Sequence, residues 1–311
     1  MTLVLLPPST DAPARPGRPA TGAPTEAPSG RSHAPERMAG ARGEGRGTRV
    51  AAHAVLLLLS LAAAVPILWM YLTSLRPPNE VLSAGPLSSH FGLGNYRAVI
   101  SQLDLGRLLS NTAAMAVAVS LGELVSGLLA AYAFARWSFR GSKLIFLLIV
   151  ATFLVPFQVT MLPNYVELSH LGLLDSLPGV ILPQLASALA ILLLRQHLRA
   201  FPKDLLDAAR VDGQSSFVTL WRVVVPNLAP ALAALAILLF VQQWNEYFWP
   251  LLVYRQPVSV LQLGIQSFLS LQATDYGGLM AASGLACLPI FALYLVLQRR
   301  VVNAFVRSGL R

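Results

Sequence analysis

Two groups of residues in this 311-residue chain have types and spacings suited to chemistry. The first is a set of polar side chains set within or beside long apolar runs: Glu123, Gln158, Gln184 and the contiguous Trp244, Asn245 and Glu246. A carboxylate or amide among apolar neighbours is costly unless it is hydrogen-bonded, so each of these either lines a path for a polar solute or bonds another helix. Ser120, Ser126 and Gly127 stand three residues before, three after and four after Glu123, so small and polar groups share its helical face. The second group is Asp207, Ala208 and Ala209 with Gly213, Val223 and Pro226 behind them, in a stretch too polar for lipid and too apolar for a disordered chain. Several chemistries are excluded. A phosphate-cradling Gly-x-x-x-x-Gly-Lys-Ser/Thr loop is missing, since neither Lys143 nor Lys203 follows a glycine. His53, His90, His170 and His197 are scattered without a His-Glu-x-x-His pattern, and Gly-x-Ser-x-Gly does not occur. The single Cys287 can build neither a disulfide framework nor a cysteine metal site. No catalytic or metal-ligating set is therefore expected.

The elements that must hold these groups follow from composition. Hydrophobic residues make up 55% of the chain and charged residues 12%, about half the charged share of an ordinary soluble domain. The net charge is +9, but the basic residues do not cluster with aromatics as a nucleic-acid surface would require. Residues 1–49 are rich in Pro, Gly, Ala and Arg and lack hydrophobic periodicity, so a disordered tail is expected there, with Met38 as an alternative start. Leu3 to Leu6 is too short for a signal peptide. From residue 50 to 311 come six apolar stretches long enough to cross about 30 Å of hydrocarbon: Val50 to Leu72, Thr112 to Phe134, Leu144 to Leu162, Leu177 to Leu194, Leu228 to Phe248 and Gly278 to Leu297. Pro156 and Pro183 predict kinks in the third and fourth. The expected fold is all-α and integral to the membrane.

Orientation follows from the basic residues, which accumulate in cytoplasmic loops. With the N-terminus inside, the inner segments hold seven basic residues in the tail, three at Arg136, Arg140 and Lys143, five from Arg195 to Arg222, and four from Arg299 to the end. The outer loops keep only Arg76, Arg97, Arg107 and Arg255, and both termini face the cytosol.

The inner loop after the fourth stretch reads `RAFPKDLLDAARVDGQSSFVTLWRVVVPNLAP`. Pro202 suits a first helical turn, Asp204 the positive end of the helix dipole and Gly213 a C-terminal cap, which predicts a helix from Pro202 to Asp212. Ser215 or Ser216 then caps a second helix whose Phe217, Leu220, Trp221 and Val224 recur on one face, with Pro226 separating it from the fifth span. The small Ala208 and Ala209 would let a partner's groove approach closely.

This loop resembles the coupling loop of binding-protein-dependent ABC importer permeases, whose signature is Glu-Ala-Ala, three residues, Gly, nine residues, Ile, one residue, Leu-Pro. Here Asp207, Ala208, Ala209, Gly213, Val223, Val225 and Pro226 keep every interval, with Asp for Glu and Val for Ile and Leu. The stretches `AAYAFARWSFRG`, `VPFQVTMLPNYVELSHLGLLDS`, `LLLRQHL` and `WNEYFWPL` are similar to the carbohydrate-uptake branch, in particular the smaller permease of maltose- and oligosaccharide-type importers. Two stretches depart from it: Leu261 to Ile265 lacks the usual proline, and the chain ends `NAFVRSGLR` rather than in a Gly-rich segment with terminal Lys-Gly. The resemblance covers residues 50 to 311 and implies a type I importer permease fold, with no enzymatic activity of its own.

It also implies partners: a second permease subunit, two cytoplasmic ATPase subunits that use ATP and Mg, an extracytoplasmic solute-binding protein and a sugar substrate. In such a complex the loop inserts into a cleft of the ATPase, Asp207 meeting a polar or basic group there and Gly213 forming the bend. A sugar path wants amide, carboxylate and aromatic groups, which the residues from Gln242 to Trp249 supply. The competing reading is a self-contained secondary carrier or channel, which calls for internal repeats with broken helices and no docking loop. No clear repeat is visible and the loop is present.

Overall fold

The computed structural model describes residues 46–77, 80–81, 90–255, 259–269 and 275–309, the side chains of 46, 48 and 299–309 excepted. Most of the expected tail, with Leu3 to Leu6 and Met38, lies outside the described residues. The chain divides into two units, Met1–Leu58 and Leu59–Arg311. In the first, the described residues are the opening of helix α1 (Arg46–Ser74), and every described side chain there is exposed. The second holds all the buried side chains described.

Hydrocarbon offers no hydrogen-bond partners, so a spanning chain must satisfy its backbone within helices. After α1 come α2 (Gly94–Gln102) and α3 (Leu105–Arg136), the latter started by Asp104, whose carboxylate accepts from the Arg107 N–H at 3.2 Å. Next stand α4 (Ser142–Thr152) and α5 (Phe157–His170), then α6 (Leu177–Ile181) with a 3₁₀ turn at Leu182–Gln184, and α7 (Ala188–Arg199). The inner loop supplies α8 (Lys203–Val211) and α9 (Ser216–Thr219), which runs through a π-helical turn at Leu220–Val224 into α10 (Val225–Trp244). The chain ends with α11 (Phe248–Val253), α12 (Leu261–Gln266) and α13 (Tyr276–Gly309).

Four helical runs are long and apolar enough to cross a bilayer: those within α1, α3 and α13, and Ser216–Trp244. Two bent pairs bring the number to six if each is one span, α4 with α5 at 94° and α6 with α7 at 45°. Both bends fall at the expected prolines. Pro156 is the residue before α5 and Pro183 lies in the 3₁₀ turn, where a missing N–H and a fixed φ interrupt the ladder. The third stretch was expected as one run from 144 to 162. Instead the helix stops at Thr152, turns at 153–156 and resumes as far as His170.

The expectation for Pro226 is corrected. It does not separate the amphipathic helix from the fifth span, because the helical run is continuous from Ser216 to Trp244. The turn just before Pro226 is widened to a π turn, which accommodates a residue without an N–H inside a continuous run. There Val225 N–H reaches back to the Leu220 carbonyl, five residues away.

α3 packs on α7 and α10, and two glycines set its approach to α7. A Cβ on Gly127 would stand 2.8 Å from the Cβ of Ala190, and one on Gly122 would run into the Leu185 side chain. Ser126 Oγ donates to the Leu185 carbonyl at 2.7 Å, satisfying an acceptor freed by the bend before α7. One apolar cluster joins Leu128, Ala131 and Tyr132 of α3 to Leu194 and Leu198 of α7 and to Leu220, Val224 and Leu235. The inner loop is thereby packed against the spans.

Candidate functional site

The inner loop forms an elbow held by local bonds. α8 begins after Pro202, with Asp204 in its first turn. It ends in a Schellman turn: Gly213 N–H donates to the Arg210 carbonyl at 2.9 Å and Gln214 N–H to the Ala209 carbonyl at 3.0 Å. Gly213 has φ +71°, a left-handed conformation that glycine adopts without strain from a Cβ. Ser215 then caps α9, its hydroxyl accepting from Val218 N–H at 3.4 Å. Asp207 lies exposed, paired with Arg210 at 3.3 Å on the same helix. Val211, at the tip, is 89% exposed, and Leu205 and Ala208 are also open.

Two sequence expectations are altered here. Ala208 faces outward, but Ala209 is 3% exposed and packs against the chain's own core, so only the first of the two small residues is open to a partner. The apolar face of the second helix is split as well. Leu220 and Val224 are buried, whereas Phe217 and Trp221 stay exposed, edge to face with centroids 6.1 Å apart. The four residues span about 100° of the helix face, and only the edge formed by Leu220 and Val224 meets the core. Val223 is half-buried against the same core cluster, and Pro226 is exposed.

Apart from Glu123 and Gln243, the polar residues of the spans bond to backbone groups rather than to one another. Glu123 on α3 and Gln243 on α10 are both buried, 6% and 4% exposed, and stand beside one another. Glu123 Oε2 and Gln243 Oε1 have no hydrogen-bond partner. Gln184 is buried and donates to the Val180 carbonyl at 2.9 Å. Trp244 is buried, and its indole N–H donates to the Ala286 carbonyl of α13 at 3.3 Å. Glu246 caps α11, accepting from Trp249 N–H at 3.0 Å. Asn245 is exposed and donates to the Val241 carbonyl at 2.7 Å; Gln158 is exposed on α5.

Sequence reasoning placed Gln243 among polar candidates but missed its pairing with Glu123, which no local spacing encodes. It also missed Trp249, fully buried with its indole N–H on the Val180 carbonyl at 3.1 Å, within a run read as path lining. Among the described residues, no three His, Cys, Asp or Glu side chains converge as a metal would require.

Helices broken at prolines, and a capped elbow packed beneath them, call for comparison with transport proteins. Residues 123–307 match the family of binding-protein-dependent transport system inner membrane components. The chain belongs to this family. It is a permease subunit of an ABC importer, a multi-pass membrane protein whose relatives are transport permeases rather than enzymes. The permease is 31% identical over 265 residues to the diacetylchitobiose uptake system permease protein of Streptomyces coelicolor, covering 83% of this chain and 88% of that one. It is also 31% identical to the arabinooligosaccharides transport system permease protein of Bacillus subtilis, over 85% of this chain and 96% of the relative. Against the sn-glycerol-3-phosphate transport system permease protein of Yersinia enterocolitica it is 35% identical, over 70% and 77%. The fold is shared with a bacterial ABC transporter involved in the import of the acidic polysaccharide alginate, at TM-score 0.69 and 24% identity, over 82% of this chain and 97% of that one.

Proposed function

We propose that the permease forms half of the translocation path of an importer for an oligosaccharide or a related hydroxylated solute, and that its elbow receives force from a nucleotide-hydrolysing subunit. The observation that carries this reading is the elbow's construction. An exposed Asp207 and Ala208 sit on a short helix locked at its C-terminal end by the turn at Gly213, and the helical run that follows the turn continues unbroken into the fifth span. Displacement of α8 would thus be passed to α10 as a rigid movement. In the complex, Asp207 meets a polar or basic group in an ATPase cleft, and Gly213 makes the bend.

The remaining parts follow the family's pattern. A second permease subunit supplies the other half of the path, two cytoplasmic ATPase subunits bind ATP and Mg, and an extracytoplasmic binding protein delivers the solute. Both termini and the elbow face the cytosol, the side on which the loops carry most Arg and Lys. The relatives named for diacetylchitobiose and arabinooligosaccharides support a sugar. Of the polar residues in the spans, Glu123 with Gln243, Gln158 and Asn245 keep unused hydrogen-bonding capacity and line the path. Gln184, Trp244 and Glu246 are engaged in internal bonds and shape its walls.

The test is reconstitution with the partner permease, ATPases and binding protein in liposomes, measuring ATP hydrolysis with diacetylchitobiose, arabino-oligosaccharides and sn-glycerol 3-phosphate in turn. Stimulation by a saccharide is expected. Solute movement by the chain with no ATPase present would overturn the coupling role. In a Cys287→Ser background, reaction of Asp207→Cys with an impermeant thiol reagent from outside the cell would overturn the orientation.

A further inference from the structure

Beside the elbow, at the same end of the bundle, Arg140, Lys143, Arg195 and Arg199 lie on segments that pack together. The loop after α3 carries Phe139 and Arg140, α4 opens with Lys143, and α7 ends with Arg195 and Arg199 one turn apart. Ring contacts bring these segments together. Phe134 touches Phe139 at 5.8 Å and Phe146 at 5.7 Å, and the Arg195 guanidinium lies 3.8 Å above the Phe146 ring. Lys143 is one turn before Phe146, and Arg140 adjoins Phe139. Arg199 acts on Arg195 as a like charge.

Among the described residues no ion pair answers this charge. Arg195 Nε–H is buried without an acceptor, and among the described residues none of the four cations has an ion-pair partner. α4 and α7 contain no Asp or Glu, and the only acidic residue of α3, Glu123, is thirteen positions before Arg136, about 20 Å up the helix. Beyond Lys143, α4 buries no residue, and Leu144, Ile145, Leu147 and Leu148 are all exposed. These cations therefore stand at the head of an apolar helix that packs on α7 through Phe146 and leaves its leucines exposed.

We propose that this cluster holds the phosphate of an anionic membrane phospholipid, whose acyl chains lie along α4. A phosphodiester supplies acceptor oxygens to the exposed Arg140, Lys143 and Arg199, and its chains cover the leucines that an acidic protein surface would leave bare. The site rests on the reading that this end of the bundle faces the cytosol, where basic residues meet an anionic leaflet.

The experiment is native mass spectrometry of the full-length chain exchanged with equimolar phosphatidylglycerol and phosphatidylcholine of matched acyl chains. Preferential retention of phosphatidylglycerol is expected. The exposed substitutions Arg140→Gln, Lys143→Gln and Arg199→Gln should each reduce that preference about fivefold. Because Arg195 is packed on Phe146, these three decide the matter without it. Equal retention of the two lipids, or an unchanged preference in the triple variant, would overturn the site. Displacement of the bound lipid by inorganic phosphate would assign the cluster to a free anion, and loss of the preference in complex with the partner permease would assign it to the subunit interface. Sidedness is read separately from thiol labelling of Asp207→Cys: a cluster on the outer face that still selects phosphatidylglycerol would keep the lipid site and sink only the orientation.

Discussion

The elbow and the polar pair in the spans carry their polar groups in opposite ways. In the elbow, each structural bond joins residues at most five positions apart: Gly213 to Arg210, Gln214 to Ala209, Val218 to Ser215, Val225 to Leu220. Glu123 and Gln243 lie on α3 and α10, far apart in the chain, and meet only because the helices pack. A locally built element keeps its shape when its surroundings move, so it can act as a lever. A pair built by packing registers the movement of the two helices, and it is suited to a part of the molecule that changes.

The largest test of this contrast is Gly213→Pro. Proline requires φ near −65° where the chain has +71°, and it removes the N–H bonded to Arg210, a local loss of about 3 kcal/mol or more. Uptake by the reconstituted importer should fall to background while membrane insertion and yield stay near wild type. Gly213→Ala keeps the N–H and should cost only about 1–2 kcal/mol in that left-handed conformation, leaving measurable uptake. Undiminished uptake by the proline variant would show that the turn transmits nothing.

The same contrast explains what could be read from the sequence. The four single spans were visible because eighteen-residue apolar runs are enough to place them, and the elbow was visible because its caps and intervals are local. The two bends were foreseen as kinks at Pro156 and Pro183, but not their angles, since the departure angle depends on what each arm packs against. Ala208 and Ala209 are neighbours of identical type. Which one is buried is decided by the core above α8, and no property of the residues themselves distinguishes them. Of the stripe from Phe217 to Val224 only the edge formed by Leu220 and Val224 meets the core, and that again depends on what packs there.

A second test separates packing from function by acting on the spans alone. Gly127→Leu would drive a side chain into Ala190, whose Cβ already stands 2.8 Å from where the new Cβ must go. Neither Ala190 nor its backbone can retreat easily, so α3 and α7 should part at a loss of about 1–3 kcal/mol. The elbow's own bonds are untouched. Thermal unfolding in detergent should occur at lower temperature, with reduced yield. Equal unfolding of Gly127→Leu and wild type would mean that the glycine contact does not set the helix spacing.

The smallest effect is the most discriminating for the polar pair. Glu123→Gln adds an amide N–H that can answer the unpartnered Gln243 Oε1, so unfolding should not shift downward. The acceptor left for a solute hydroxyl is consumed in the process. One lost hydrogen bond of about 0.5–1.5 kcal/mol corresponds to a rise of roughly two- to tenfold in the solute concentration needed for half-maximal uptake. Glu123→Leu removes both roles, and a cycle with Gln243→Leu should return a coupling near 0.6 kcal/mol in unfolding, the average for hydrogen bonds between membrane helices. If Glu123→Gln transports like wild type while that coupling is present, the pair is a clasp between α3 and α10 and the solute passes elsewhere. If uptake weakens with unfolding unchanged, the unmet oxygens face the solute when the helices move apart, and the polar pair belongs to the path.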